Sequence, residues 1–191
     1  MEFAIPISRF DPTKVTWGQA RSGPFRRAVS FGYEEGNLTF NSLTLVLEPL
    51  RVTQIDWEKN QLVLEETTQI QFLTKIEQFQ SLVNAQIKKY HKEWLEGTIV
   101  PEAEYIVPLQ PWSKSHKITL YLSSDPSSVP FYTENDSQVL SDKTLKPGDL
   151  IRATARIQGI SLQMSQSDSW TGKSRIQHHV LELYKVTPET L

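Results

Sequence analysis

The sequence predicts an α+β fold made mainly of antiparallel strands with one long helix. Three observations carry that reading. Apolar residues alternate with a period of two over most of the chain, the period lengthens to between three and four once, over residues 69–96, and Gly-, Pro- or Asn-bearing turns separate the runs.

Residues 1–24 hold Pro12, Gly18, Gly23 and Pro24 and read as an ordered arm rather than a strand. In the N-terminal strand region, 25–64, Val29, Phe31 and Tyr33 share one face, and Leu43, Leu45 and Leu47 alternate again before Glu48-Pro49 closes that run. The polar turn Glu34-Glu35-Gly36-Asn37 makes a hairpin of these two runs. Arg51–Trp57 and Gln61–Leu64 form a second pair around Glu58-Lys59-Asn60. Over residues 69–96, Ile76, Phe79, Val83, Ile87, Tyr90 and Trp94 mark a helical stripe expected to face the core. Thr68 with Gln71 resembles a capping box, Gly97 suits the C-terminal cap, and Lys88, Lys89 and Lys92 lie where the helix dipole favours cations.

Residues 118–186 hold the remaining strands. Ile118, Leu120 and Leu122 alternate, and a polar connection over 123–143 carries Phe131-Tyr132. After the type II turn Lys146-Pro147-Gly148-Asp149, the side chains of Ile151, Ala153, Ala155 and Ile157 face the core, opposite Arg152, Thr154, Arg156 and Gln158. Gly159 marks a bulge or bend, a polar tip spans Ser165–Ser174, and Arg175–Val186 returns as the partner strand.

With 38% hydrophobic residues, 8 Phe, 6 Tyr and 5 Trp, the 191 residues suffice for one domain with rings to spare for the surface. The absence of cysteine excludes disulfides and thiolate metal sites, and no apolar run is long enough to span a membrane. The N-terminal residues lack the pattern of a signal peptide, so an intracellular, non-secreted protein is expected. The net charge of −2 is unevenly spread: residues 1–33 carry five basic against two acidic groups, residues 146–186 six against three, and residues 34–145 nine against sixteen. Local positive fields of this kind steer polyanions whatever the total charge.

Catalytic motifs are lacking. There is no Gly-x-Ser-x-Gly, no Gly-x-Gly-x-x-Gly and no phosphate loop, since Ser167 stands five positions before the Gly172-Lys173-Ser174 triplet where a glycine is required. His178 and His179 point to opposite faces of a strand and cannot chelate one ion together. We therefore expect no enzyme, no metal and no cofactor. Binding of single strands needs cations along the phosphates and rings on which bases stack. The residues suited to this are Arg26, Arg27 and Phe31 near the N-terminus, Tyr121, Phe131 and Tyr132 in the middle, and Arg152, Arg156, Trp170, Lys173, Arg175 and His178 in the last hairpin. Trp170 lies among Ser, Thr, Asp, Gln and Gly and is expected at the surface.

The run from Lys146-Pro147-Gly148-Asp149-Leu150-Ile151-Arg152 through Gly159-Ile160, the Trp170/Gly172/Lys173 tip and Val180–Val186 resembles the C-terminal part of OB-fold single-stranded-DNA-binding proteins, particularly those of large DNA viruses. The resemblance covers about a fifth of the chain. It implies an OB-like barrel that binds single strands across one face, in replication, recombination or repair. The expected partners are single-stranded DNA or RNA, with a second copy of the chain or other replication proteins as further candidates. The competing expectation is a structural or assembly protein of β-sandwich type, such as a virion component.

Overall fold

Alternation of apolar residues resolves into strands β1 (Ala4–Pro6), β2 (Val15–Gly23), β3 (Arg26–Glu35), β4 (Leu38–Phe40), β5 (Leu43–Asp56) and β6 (Gln61–Glu66) ahead of the helix α1 (Leu73–Trp94). Strands β7 (Ser113–Lys114), β8 (Lys117–Tyr121), β9 (Phe131–Tyr132), β10 (Ser137–Gln138), β11 (Leu150–Met164) and β12 (Trp170–Val186) follow. These elements come from a computed structural model that describes residues 3–134 and 136–187.

The strands form one mainly antiparallel sheet in the order β10-β9-β12-β11-β5-β6-β8-β7. Strand β3 branches from it, pairing with β11, β2 and β4, and β1 lies parallel to β5. The long hairpin β11–β12 is the spine. It pairs from Leu150↔Val186 to Met164↔Trp170, with shifts of register at Thr154/Ala155, Ile157/Gly159 and Leu162/Met164, and β11 also changes partner along its length. Its first half pairs with β5, from Leu150↔Arg51 to Ile157↔Leu43, and its second half pairs with β3, from Gly159↔Ser30 to Gln163↔Arg26. The changeover falls at Gly159, where the ladder to β12 slips. A Cβ there would run into the Val29 backbone carbonyl, so only glycine lets β3 approach. The slip also inverts the alternation. Ile151, Ala153, Ala155 and Ile157 are buried before it, and Ile160, Leu162 and Met164 after it.

Helix α1 buries Ile76, Phe79, Val83, Ile87 and Trp94 as its periodicity predicts. The Phe79 ring packs edge-on against Phe10 and Phe31, with centroids 5.8 and 5.2 Å away. The helix starts later than the capping-box reading implies, and Phe72 supplies no side-chain cap. The cap is Glu66, at the end of β6, whose carboxylate accepts from the backbone N–H groups of Phe72 and Leu73.

Four expectations are corrected by the strand pairing. Residues 1–24 are not only an arm, because β1 joins β5 and β2 pairs with β3 from Val15↔Tyr33 to Gly23↔Arg26. The turn at Gly36-Asn37 joins β3 to the short β4, not to the Leu43 run. Glu48-Pro49 do not end a strand either: they sit in a slip between Leu47↔Ala153 and Leu50↔Ile151, where a proline without N–H is tolerated. The return strand begins at Trp170, inside the stretch expected to be a loop tip.

Candidate nucleic-acid interface

The second half of the β11–β12 hairpin presents its outer face between two walls. On one side β3 runs along β11, preceded by the turn at Pro24-Phe25. On the other, the segment 107–110 lies along β12, with Val107 N–H donating to the Gly172 carbonyl at 3.0 Å and Gln110 N–H to that of Ser174 at 3.3 Å. A side chain at residue 172 would strike the Tyr105 carbonyl, so Gly172 admits this wall. Helix α1 fixes the same segment from behind. The Gln80 side-chain carbonyl accepts from Trp112 N–H at 2.5 Å and Ser113 N–H at 2.6 Å, and that of Asn84, one turn further on, accepts from Leu109 N–H at 3.2 Å.

Between the walls lies a cleft of about 680 Å³ lined by Arg26, Lys173 and Arg175, the polar Gln110, Ser161, Gln163 and Ser174, and the apolar Pro24, Phe25, Val107, Pro108 and Pro111. No carboxylate lines it, and among the described residues none of its three cations is ion-paired. The Arg26 guanidinium is steered by one hydrogen bond, 2.6 Å to the Gln177 side chain. Gln110, Pro111 and Arg175 also line a neighbouring hollow of about 200 Å³ that ends at Trp112 and Tyr121. The two spaces make a trough with an exposed ring at each end: Phe25, 65% exposed, and Tyr121, 43% exposed.

A larger cavity of about 1040 Å³ opens at the other end of the hairpin, where Arg51, Lys143 and Lys185 are mixed with Glu134, Asp136 and Asp149. Lys185 and Asp149 pair there at 3.2 Å. Opposite charges offset one another in that cavity, whereas the trough keeps an uncompensated positive field.

The structure brings together only part of the residue set expected from sequence. Arg26, Lys173 and Arg175 share the cleft, and Tyr121 reaches it through the smaller hollow. Arg152 and Tyr132 lie apart, at the base of the hairpin, in register with Tyr184 from either side. Arg156 stands opposite His179 on the same face. Glu182, which accepts from the Thr154 hydroxyl at 3.3 Å, interrupts the positive charge between base and tip. Arg27 donates to the Trp94 and Glu96 carbonyls at 3.0 and 3.1 Å, so it satisfies the C-terminal end of α1.

The remaining rings belong to the interior. Phe31 and Phe131 are fully buried. Trp170 is 3% exposed, contrary to expectation: its indole N–H donates to the Lys173 carbonyl at 2.9 Å and its ring lies 5.7 Å from His91 on α1. Its ring partner His91 comes from elsewhere in the chain, so the polar neighbours of Trp170 in sequence are no guide to its burial. His178 stacks on Trp112 with centroids 5.0 Å apart, and its Nε2 accepts from Tyr121 N–H at 3.0 Å. Burial, and then the charges of Arg175 and His179, push its pKa down to about 4, so the ring is the neutral acceptor this hydrogen bond needs. Phe25, which stands beside Arg26-Arg27 in the sequence and was a further candidate ring on that ground, lines the cleft, whereas Gln163 was missed as a site residue. The Pro24-Phe25 dipeptide marks a turn, and turns run over the surface.

No family model and no curated protein matches the chain. Among the described residues no three His, Asp or Glu side chains are grouped to hold a metal ion, and no helix is long and apolar enough to cross a membrane.

Proposed function

We propose that this protein binds single-stranded nucleic acid, largely without regard to sequence, along the trough from Phe25 to Tyr121. The observation that carries the reading is a cleft of about 680 Å³ lined by three cations and no carboxylate. Arg26, Lys173 and Arg175 would follow the phosphates. Gln110, Gln163 and Ser161 offer hydrogen bonds to sugars or base edges, and the terminal rings offer faces to unpaired bases, which a duplex keeps stacked inside. DNA is the favoured ligand, in replication, recombination or repair, in line with the resemblance of residues 146–186 to viral proteins of that kind.

An OB-like barrel is part of the same proposal. Strands β5, β6 and β8 form a meander, and β11 pairs with β5 and β12 with β11. The chain that leaves β8 then reaches β12, where β9 pairs parallel to it at Leu183↔Phe131. Together with the Tyr121 to His178 hydrogen bond, this supports a ring β5-β6-β8/β9-β12-β11 in the order of an OB fold.

A second reading, a protein-assembly surface, is favoured by the exposed Ile99, Tyr105 and Val107 beside the hairpin tip. Fluorescence anisotropy with labelled single-stranded and duplex oligonucleotides separates the two. The nucleic-acid reading expects tighter binding of the single strand at low salt, and absence of binding to either oligonucleotide refutes it.

A further inference from the structure

The turn between β2 and β3 contains an unusual residue. Gly23 and Arg26 form its closing pair, so Pro24 and Phe25 are its two corners. Proline fixes a negative φ at the first corner, and Phe25 takes φ 57° at the second. A turn of this form asks for glycine or asparagine at the second corner, because a side chain there meets its own backbone. The other described non-glycine residues at positive φ are Asn60, Ser115, His116 and Asp168, all polar, so Phe25 is the only bulky apolar residue held this way among them.

Nothing inside the protein accounts for the ring. It is 65% exposed, and among the described residues no other ring packs on it. The backbone at this position does serve the fold, since the Phe25 carbonyl accepts from Met164 N–H at 2.9 Å, but any residue would provide that carbonyl. Phe25 lines both the main cleft and a smaller one of about 300 Å³, whose lining includes Ser22, Arg27, Met164, Gln166 and one carboxylate, Asp168. Arg26 lines both, and Lys173 lines the main one.

We infer that Phe25 is a stacking residue for an unpaired nucleobase, kept in a left-handed conformation that lowers the stability of the fold, and that it gives the trough its preference for single strands. The inference rests on the nucleic-acid reading proposed above. Strain of this kind persists at binding sites, where the residue is needed for the ligand and the surrounding structure holds it in place. Here the β2–β3 pairing holds the turn, and open space on both sides leaves the ring free to receive a base.

The test uses the full chain and three variants: Phe25→Asn, which relieves the backbone; Phe25→Leu, which keeps the strain and removes the ring; and Phe25→Trp, which keeps a ring. Each is measured by thermal unfolding and by anisotropy with a labelled single strand of about 15 nucleotides, within the site size of such folds, and with the matching duplex. We expect Phe25→Asn to melt about 2–4 °C higher than the wild type and to bind the single strand about tenfold more weakly. Phe25→Leu should lose the same affinity without the gain in melting temperature, Phe25→Trp should retain it, and residual duplex binding should be the same for all. If the wild type binds the single strand and Phe25→Asn and Phe25→Leu bind it equally well, the inference is overturned while the functional reading stands. If the wild type binds neither oligonucleotide, both are overturned.

Discussion

Replacing Glu66 tests how the strand-rich core holds its one long helix. Its side chain is only 2% exposed, and it accepts from the Phe72 and Leu73 N–H groups at the start of α1 and from His116 Nδ1 at 3.1 Å. Glu66→Ala leaves two buried N–H groups without an acceptor, each worth about 1–3 kcal/mol. It also removes a negative charge from the positive end of the helix dipole, worth about 1 kcal/mol in a partly buried setting. The His116 contact adds little, since that side chain is 63% exposed and water screens the pair. A loss of about 3–7 kcal/mol follows for Glu66→Ala. Glu66→Gln keeps a carbonyl oxygen for the same two donors and should lose only about 1–2 kcal/mol. Equilibrium urea denaturation of the three proteins reads both values, provided the transition slope is unchanged. Should Glu66→Ala fall within about 1 kcal/mol of the wild type, or Glu66→Gln prove as harmful as Glu66→Ala, the capping argument fails.

Two further perturbations probe the rings around the trough. Trp170→Ala should destabilise the fold by about 3–5 kcal/mol, as expected for a buried aromatic residue; Trp170→Phe, at a smaller loss, should leave oligonucleotide affinity unchanged, and a selective loss of binding would return Trp170 to the ligand site. His178 titrates near 4 when folded and near 6.5 when unfolded, so the unfolded chain binds more protons between those values and stability declines as pH falls from 6.5 toward 4. The full effect is about 3 kcal/mol. Urea midpoints at pH 7 and pH 4.5 for wild type and His178→Gln should show a shallower decline in the variant, and parallel declines would refute the assignment.

What could be read from the sequence divides by the range of the interactions involved. The alternation Ile151/Ala153/Ala155/Ile157 and the stripe from Ile76 to Trp94 are set by the geometry of their own element, and both are buried as expected except Tyr90, which is half-buried. The start of α1 was misplaced because its cap comes from Glu66 on a preceding strand, outside the local pattern of Thr68 and Gln71. The Leu43 run was paired with its neighbour in sequence, yet it lies against β11, more than a hundred residues away. Within the site, Arg26, Lys173 and Arg175 were identifiable as cations flanking strands, but the cleft between them exists only because β3, the hairpin and the segment 107–110 converge. Phe31, Phe131 and Trp170 were assigned to the ligand because ring type is visible in a sequence and burial by distant partners is not.

The central claim is that three unpaired cations in one cleft hold the phosphates of a single strand. Its most direct test is the salt dependence of single-strand affinity for the wild type and for the triple variant Arg26→Ala/Lys173→Ala/Arg175→Ala. With about 0.7 counterions released per neutralised phosphate on a single strand, three contacts give a slope of log affinity against log salt about 2 units steeper in the wild type than in the variant, or roughly twentyfold more affinity lost between 50 and 200 mM salt. Equal slopes in the two proteins, or single-strand binding that survives the triple substitution undiminished, would contradict the account.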